Sequence, residues 1–447
     1  MSARPDLDAR AAAPAAARAV FEAAVAAVSP ARLLARSDLD SQLPPGPVRL
    51  LAVGKAALGL AGAAEARLGD RVAEGLAVLP HGYAAAASPG LLRPQRVAVV
   101  EAGHPAPDAA SVEAGRAALA LARRAAGDGA PLLVLLSGGG SALLEAPAPG
   151  LSLDDLGATS RLLLRAGVPI AGVNAVRKHL SALKGGRLAA AAHPASVVTF
   201  ALSDVVGDDL AVIASGPTVA DPTTFADALR VLDEAGVRGA VPPSVRRHLE
   251  AGAAGEREEA PKPGDPRLAH TVTRLLGTNA DALDGARREA GRRGYRVWVR
   301  ARDVTGEARD VGARLARELQ ALPHGRACLL WAGEPTVTVT GEGRGGRCQE
   351  AALAAALGLE GDGRPLTVLA AGTDGVDGPT EAAGAVVTER TATLARAAGL
   401  DPEAFLGRND SHGFFAAAAP HLPPGEGLVV TGPTHTNVMD VFVGLVG

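Results

Sequence analysis

Lysine is scarce in this chain of 447 residues, and so are aromatic residues, cysteines and long apolar runs. Only four of the 45 basic residues are lysine. Aromatic residues make up 2%, so few side chains could stack on bases, and the net charge of −3 also argues against a nucleic-acid partner. The two cysteines, Cys328 and Cys348, have neither metal-binding nor redox spacing and suit a reducing compartment. No apolar run reaches the roughly 18 residues of a membrane span, so we expect a cytoplasmic protein with no membrane partner.

Glycine, proline and alternating apolar and helical segments are abundant instead. The chain contains 55 glycines and 32 prolines, and 47% of its residues are apolar, which is typical of a loop-rich globular protein. Short apolar runs that end in glycine or aspartate alternate with alanine- and leucine-rich segments. This alternation predicts an α/β fold with mostly parallel sheets. The predicted strands span residues 48–53, 96–100, 131–136, 196–202, 297–299, 328–331, 336–340, 366–370 and 427–430.

Two α/β domains are predicted. Residues 251–270 are rich in glycine, proline and charge, and this segment separates a domain over residues 1–250 from a domain over residues 265–447. A weak internal similarity supports two related halves, because an apolar run leads into Ser203-Asp204 in one half and into Thr373-Asp374 in the other. Ligands of open α/β sheets bind beyond the carboxyl ends of the strands, so both segments are expected near a site.

A glycine-rich loop is the clearest candidate for an anion site. It consists of residues 137–141, lies between a predicted strand and a predicted helix, and is called the glycine loop below; its members are Ser137, Gly138, Gly139, Gly140 and Ser141. Glycine lets backbone N–H groups approach an anion, and the start of a helix adds positive potential. The loop therefore indicates phosphate or carboxylate binding, although a tight turn explains the same residues. It is not a P-loop, because the chain contains no G-x-x-x-x-G-K-[ST] motif.

The lysines are candidates for phosphate contacts. Lysine is a compact point charge that fits a tight pocket, whereas arginine is a broad planar fork. Lys55, Lys178 and Lys184 lie beside glycine or within a dense polar run, while Lys262 lies in an ordinary polar linker. Lys184 shares a helical face with Arg177 and precedes two glycines. This face either extends the phosphate site or is a solvated basic surface.

A second glycine cluster spans residues 341–347. It satisfies G-x-G-x-x-G and carries Arg344 and Arg347, which favour a bidentate contact with a phosphate or carboxylate. A lone match to this motif is weak evidence. The dinucleotide interpretation also requires an acid at the end of the next strand, which Asp374 would supply, so a nicotinamide-dependent enzyme stays open as an alternative.

Aspartates at the ends of predicted strands form an acidic set. Carboxylate oxygens suit Mg²⁺, which is usually held by one or two carboxylates together with substrate phosphates. One of these aspartates could alternatively act as a general base, or all could cap helices and turns. The position beside a glycine-containing turn favours function for two of them. The set consists of Asp204, Asp208, Asp209, Asp374 and Asp377, and the two favoured members are Asp204 and Asp374.

Eight motifs in this chain resemble, in order, those of the glycerate 2-kinase family that has a MOFRL-type C-terminal domain. They are VGKAA, GHPAPD, SGGGSALL, NAVRKHLSALKGGRLA, LSDVVGDDLAVIASGPTVAD, GRGGRCQEAALA, GTDGVDGPT and TGPTHTNVMD. The resemblance implies a Rossmann-like first domain, a MOFRL-type second domain and an active site in the cleft between them. It also implies phosphorylation of D-glycerate by ATP with Mg²⁺, giving 2-phosphoglycerate and ADP. A homodimer stays open.

The resemblance further implies that Lys55 and Arg347 are catalytic. Phosphoryl transfer depends mainly on alignment and charge stabilisation, so we assign both to the transferring phosphoryl group and the glycerate carboxylate. Asp204 and Asp374 are assigned to Mg²⁺ or to activation of the acceptor hydroxyl, with Asp204 counted as catalytic and Asp374 also as part of the nucleotide site. The glycine loop and Lys184 are assigned to the nucleotide.

Two other functions stay open: an NAD(P)H-dependent hydroxypyruvate reductase, as members of this family have often been named, and a non-catalytic nucleotide- or sugar-acid-binding module. The chain also departs from the family pattern at three positions. Asn is usual where Cys348 stands, Gly where His435 stands and Asn where Met439 stands. If these residues contact a substrate, affinity or acceptor choice will differ.

Overall fold

The computed structural model describes residues 3–447, with side chains from Arg10 onward. Helices and strands alternate along most of the chain, as the sequence predicts. The α-helices are α1 (Ala3–Ala27), α2 (Pro30–Arg36), α3 (Leu39–Gln42), α4 (Ala57–Leu68), α5 (Tyr83–Ala86), α6 (Ala109–Asp128), α7 (Gly140–Leu143), α8 (Leu153–Arg165), α9 (Ile170–His179), α10 (Arg187–Ala192), α11 (Phe225–Glu234), α12 (Pro243–Ala253), α13 (Asn279–Arg292), α14 (Ala308–Gln320), α15 (Arg347–Leu359), α16 (Thr391–Ala397), α17 (Pro402–Gly407) and α18 (Ser411–Ala418). The strands are β1 (Val48–Val53), β2 (Val72–Pro80), β3 (Val97–Ala102), β4 (Leu132–Leu136), β5 (Val197–Leu202), β6 (Thr271–Gly277), β7 (Arg296–Val304), β8 (Ala327–Gly333), β9 (Leu366–Gly372), β10 (Gly384–Thr388), β11 (Gly427–Val429) and β12 (Asp440–Val446).

Leu33–Ser203 and Asp208–Leu276 form one compact unit, called the first unit below. Its six-stranded sheet has the order β3-β2-β1-β4-β5-β6, which is the order of doubly wound nucleotide-binding folds. Strands β3, β2, β1, β4 and β5 pair in parallel. Every residue of β4 and β5 is buried, as expected for parallel strands covered on both faces. The segments after β1 and β4 therefore start at the same edge of the sheet.

The second unit comprises the described residues up to Arg32, Asp204–Gly207 and Gly277–Gly447. Its sheet has the order β11-β10-β9-β12-β8-β7. Only β7 and β8 pair in parallel, and the other neighbours are antiparallel. The prediction of mostly parallel strands therefore fits the first sheet and is wrong for the second. No helix connects β9 to β10, and a parallel pair requires such a crossover.

The units of the structure differ from the predicted domains at both ends of the first domain. Helix α1 packs on α13, β9 and β12 of the second unit. A Cβ on Gly285 of α13 would lie 2.5 Å from the Cβ of Ala27, so this glycine permits the close approach of the two helices. At the other end, the glycine- and proline-rich segment 251–270 lies inside the first unit because β6 follows it and completes the first sheet.

Some strands were missed and one was wrongly predicted. Strands β2, β6, β10 and β12 are absent from the prediction, and residues 336–340 form only an isolated bridge at Thr336. Side chains, and not a neighbouring strand, accept hydrogen bonds from backbone N–H groups of this segment. Thr338 N donates to Glu307 Oε2 at 3.1 Å, and Thr340 N donates to Asn409 Oδ1 at 2.8 Å. Within residues 3–447, no single helix is long and apolar enough to cross a membrane; the bent pair Arg10–Ala27 and Pro30–Arg36 passes that test of length and composition only when joined.

Candidate functional site

Lys55 and the glycine loop lie together at the carboxyl edge of the first sheet. Lys55 follows β1, the loop follows β4, and Lys55 N donates to Gly138 O at 2.9 Å. Ala56 N donates to Ser137 Oγ at 3.0 Å. A Cβ on Gly54, whose φ is +119°, would lie 2.2 Å from that Oγ, so only glycine allows this contact. The structure thus brings two of the predicted site elements into direct contact.

The far side of the glycine loop packs on a strained turn that sequence reasoning missed. Ser141 Oγ and Ser215 Oγ are 2.8 Å apart, and a Cβ on Gly140 would lie 2.8 Å from the Cβ of Ala214. Ala214 and Ser215 both have left-handed backbones, with φ of +51° and +60°. Such strain costs roughly 1–3 kcal/mol per residue and is concentrated at functional sites. The sequence signal for this turn is the small-residue run AVIASGP.

One predicted property of the loop is wrong. The helix after it, α7, is a single turn of four residues, so aligned peptide dipoles contribute little positive potential there. Gly139, with a φ of +87°, has its Cβ position 2.9 Å from the His104 ring. The glycines are thus needed for close packing, and the backbone of the loop remains the part available to an anion.

Lys184 has a different partner from the predicted nucleotide. Its side chain is fully buried and its ammonium forms an ion pair with Glu145. Burial lowers the pKa of Lys184, while the Glu145 carboxylate acts in the opposite direction. Lys178 is buried in a similar way, 3.4 Å from Asp221. The sequence could not separate these internal ion pairs from ligand contacts, because lysine beside glycine or within a polar run is typical of both.

Arg347 of the second unit is held by two carboxylates. It is the first residue of α15, and its Nε and Nη2 donate to the two oxygens of Asp440 at 2.5 and 2.9 Å. Its Nη1 lies 2.9 Å from Glu334 Oε1. Burial alone would lower the pKa of Arg347, but Asp440 and Glu334 outweigh it and the pKa is raised. Asp440, at the start of β12, is 1% exposed and is a site residue that sequence reasoning missed.

Asp374 lies close to this pair, and Asp204 is in the same unit. A Cβ on Gly372 would lie 3.0 Å from Asp374 Oδ1 and 3.4 Å from Asp440 Oδ1, so the two carboxylates flank one point at the end of β9. Asp374 Oδ1 accepts from Val376 N at 3.1 Å. Asp204 Oδ2 accepts from Asn437 Nδ2 at 3.1 Å. The segment that leads into β12 thus supplies Asn437, and β12 itself begins with Asp440; the sequence signal for both was the final motif of the resemblance.

Asp377 and Asp209 have structural roles. The Asp377 carboxylate accepts from the backbone N–H groups of Cys348 and Gln349 at 3.1 and 2.8 Å, and so caps α15. Burial raises its pKa to about 6, although these hydrogen bonds act against the rise. Asp209 Oδ1 accepts from Ala211 N at 2.8 Å, an Asx-turn. The alternative of caps and turns therefore explains these two members of the acidic set.

The second glycine cluster does not form a dinucleotide loop. No strand leads directly into it, since β8 ends at Gly333, and its glycines are needed where the backbone crosses the segment 408–411. A Cβ on Gly341 would lie 2.3 Å from Arg408 O, and one on Gly343 would lie 2.4 Å from the Cβ of Asp410. A Cβ on Gly346 would lie 2.3 Å from Asp377 Cγ. Packing accounts for the motif that suggested a nicotinamide cofactor.

The three departures from the family pattern are all buried in the second unit. Cys348 lies in the first turn of α15, and burial raises the pKa of its thiol well above the usual range. His435 and Met439 have left-handed backbones, with φ of +56° and +69°. Glycine and asparagine, the residues usual at these positions, adopt this region most readily. His435 and Met439 thus stand where backbone shape matters, in the same segment as Asn437 and Asp440.

The donor set fits Mg²⁺ bound together with a nucleotide. Among the described side chains, no group of three or more His, Cys, Asp or Glu residues could hold a metal by itself. Mg²⁺ is ordinarily held by one or two carboxylates plus substrate phosphates and waters, and needs no such group. The carboxylates of Asp204 and Asp374 are ligands of the right kind.

Comparison with known proteins identifies the family. Residues 16–250 match the model described as "Domain of unknown function (DUF4147)", and residues 327–440 match the MOFRL family.

Glycerate 2-kinase of Pyrococcus horikoshii is 40% identical over 408 residues, which cover 90% of this chain and 88% of that protein. A protein of Agrobacterium vitis that is named for hydroxypyruvate reductase is 39% identical, with 96% of this chain and 94% of that protein covered. The crystal structure of glycerate kinase from Thermotoga maritima has a TM-score of 0.83 and 36% identity, and the match covers 98% of this chain and 100% of that one. The chain, which matches the MOFRL family model over residues 327–440 and glycerate kinases over nearly its whole length, belongs to the glycerate kinase family.

Proposed function

We propose that this protein transfers the γ-phosphoryl group of ATP to the 2-hydroxyl of D-glycerate and releases 2-phosphoglycerate and ADP. The observation that carries the proposal is the charged cluster of the second unit, in which Asp440 holds Arg347 by a bidentate pair beside Asp374. A fixed guanidinium next to carboxylates suits an acidic acceptor and a metal-bound phosphate. The name of the Pyrococcus horikoshii relative supports the 2-position.

Arg347 is assigned to the glycerate carboxylate and the transferring phosphoryl group. A guanidinium has five N–H donors, and three contacts with Asp440 and Glu334 leave two for a ligand. Because the pair with Asp440 fixes the guanidinium in advance, little side-chain entropy of Arg347 is lost when the acceptor binds. The resemblance and this geometry together support a catalytic role for Arg347.

Lys55 and the glycine loop are assigned to the phosphates of ATP. The backbone of Lys55 is bonded to Gly138, so its side chain starts at the same edge of the sheet as the loop. Charge that spreads over phosphoryl oxygens during transfer is stabilised by preorganised donors of this kind. The predicted cleft between the two domains stays a prediction.

Asp204 and Asp374 would hold Mg²⁺, which when bound neutralises phosphate charge. Asp204, oriented by Asn437, could instead accept the proton of the glycerate hydroxyl. The two roles predict different behaviour of the Asn variants. Loss of a metal ligand in Asp204→Asn or Asp374→Asn should be partly rescued by raised Mg²⁺ or by Mn²⁺, whereas loss of a general base should not be.

The deciding experiment is a coupled assay of ADP release with purified protein. ADP should form only when D-glycerate, ATP and Mg²⁺ are all present, and NMR should identify the product as 2-phosphoglycerate. Formation of 3-phosphoglycerate would support the kinase activity but show that the 3-hydroxyl, and not the 2-hydroxyl, is phosphorylated. Oxidation of NADH or NADPH by hydroxypyruvate without glycerate-dependent ADP would overturn the kinase. The reductase is not favoured, because packing explains the glycine motif that suggested it.

A further inference from the structure

A cavity of about 320 Å³ lies in the first unit next to the glycine loop. It is bounded by the segment 104–107 after β3, by the glycine loop, and by helices α8 and α9. This volume is at the lower end of the range of roughly 300–1,000 Å³ for small-molecule sites. A three-carbon acid such as glycerate would fill only a small part of it.

The lining of the cavity contains both apolar and polar residues. One part is apolar and consists of Pro105, Pro107, Leu156, Leu163, Val176 and Leu180. The polar lining residues include Gly139 and Ser141 of the glycine loop, Arg177, and Glu145, whose carboxylate is paired with Lys184. A ligand that fits both parts has an apolar, flat or bulky portion joined to an anionic group.

Arg177 is a cation that lacks a partner of its own. Its guanidinium, on α9, makes no hydrogen bond or ion pair with any residue that the structure describes. Burial lowers the pKa of Arg177, and the more distant Glu145 charge offsets this only in part. Partly buried cations are ordinarily paired, so an anion from outside the chain would complete this group.

We propose that this cavity binds the nucleoside half of ATP and that Arg177 contacts the attached phosphates beside the glycine loop; the inference rests on the kinase function proposed above. The base packs between the prolines of the segment 104–107 and the leucines of α8 and α9. This chain has few aromatic residues, and in this cavity aliphatic side chains take the place of the aromatic surface on which bases often stack. The polyphosphate then extends toward Ser141 and Lys55.

The test fills the cavity without disturbing the fold. Gly157 lies on α8 and lines the cavity, and a Cβ there would meet only the flexible guanidinium of Arg161, at 3.3 Å. Gly157→Leu should therefore fold normally and occupy the space assigned to the base. Gly127→Leu is the matched control, because Gly127 is also helical, does not line the cavity and has nothing within 4 Å of its Cβ position.

Titration calorimetry with ADP gives a readout that is independent of turnover. Gly157→Leu should weaken ADP binding by about tenfold or more and raise the KM for ATP equally, with the KM for glycerate unchanged. Gly127→Leu should bind ADP as the parent does. Equal ADP affinity in Gly157→Leu and the parent would overturn the inference even if the parent is an active kinase.

A second pair of variants tests Arg177. Arg177→Met should weaken binding of ADP by about tenfold while leaving the binding of adenosine unchanged, because only ADP carries phosphates. Arg165→Met, an exposed position on the same α8–α9 region, should change neither. If ADP binds normally to Arg177→Met, the assignment of Arg177 to the phosphates is wrong. If the parent binds ADP in this cavity but never phosphorylates glycerate, the proposed function fails and this site survives.

Discussion

Lys55 is expected to act as a compact charge in a space that does not admit a guanidinium. Its backbone is tied to Gly138, so a longer and broader side chain cannot move away to make room. Lys55→Arg should therefore be nearly as damaging as Lys55→Ala, with a loss of about 10² or more in kcat. Lys262→Arg is the control, since the Lys262 ammonium only bonds Glu259 and the Thr223 carbonyl. Steady-state kinetics of the three variants measure this, and near-normal turnover of Lys55→Arg would contradict it.

Asp440 is expected to position Arg347. Asp440→Asn keeps the shape of the side chain but turns one acceptor into a donor that faces the guanidinium. Glycerate kcat/KM should fall by about 10² with a much smaller change in ADP affinity, and stability should fall by about 3 kcal/mol because a buried pair is broken. Glu334 contacts the same guanidinium from a more exposed position, so Glu334→Gln should have only a small effect on glycerate kcat/KM and on stability. Similar effects of both substitutions would show that Asp440 has no special role.

Asp377 is expected to make the protein less stable as pH rises. Its native pKa of about 6 exceeds the ordinary value of 3.8, so between these values the native state holds a proton that the unfolded state has lost. The stabilisation is complete below about pH 4 and is lost as pH rises through 6; a rise of this size corresponds to roughly 3 kcal/mol. Urea unfolding from pH 4.5 to 7.5 should show a shallower decline for Asp377→Asn than for the parent. Parallel pH profiles would mean that Asp377 is ionised throughout.

Helices α1 and α13 are expected to depend on one glycine for their close packing. Besides the Ala27 contact, a Cβ on Gly285 would lie 2.6 Å from Ala23 O, which is backbone and cannot move aside. Gly285→Ala should lower the free energy of unfolding by about 1–3 kcal/mol. Gly291 lies on the same helix and has open space at its Cβ position. Gly291→Ala should therefore raise the free energy of unfolding by about 0.5–1 kcal/mol. Chemical denaturation of both variants tests the pair, and a stabilised Gly285→Ala would contradict the geometry.

Strands were predictable from sequence where the chain is apolar throughout, and not elsewhere. Strands β1, β4 and β5 lie close to their predicted positions because both faces of a parallel sheet are buried. Strand β12 was missed although it is equally buried, because its first residue, Asp440, reads as a polar terminus. The alternating run 336–340 was wrongly taken for a strand, since side chains such as Asn409, far away in sequence, satisfy its backbone.

The candidate site was predictable in its chemistry and less so in its contacts. Lys55 with the glycine loop and Arg347 with nearby aspartates follow from motifs. The pairing of Lys184 with Glu145 and of Arg347 with Asp440 joins residues that are 39 and 93 positions apart. Nothing local in a sequence encodes partners at such separations. The same limitation explains the domain boundaries, because the sequence contains no local sign that α1 belongs with residues beyond 276.

That placement of α1 has a consequence for synthesis on the ribosome. Val20 and Phe21 of α1 are buried in the folded protein, and α1 packs on α13, β9 and β12, of which β12 is made last. At about 5–20 residues per second, the apolar face of α1 waits on the order of 20 to 80 s for its partners. The first unit can complete its sheet during that time. The nascent chain therefore carries α1 without these partners until β12 has been made, which makes α1 a natural point of contact for chaperones and delays completion of the second unit.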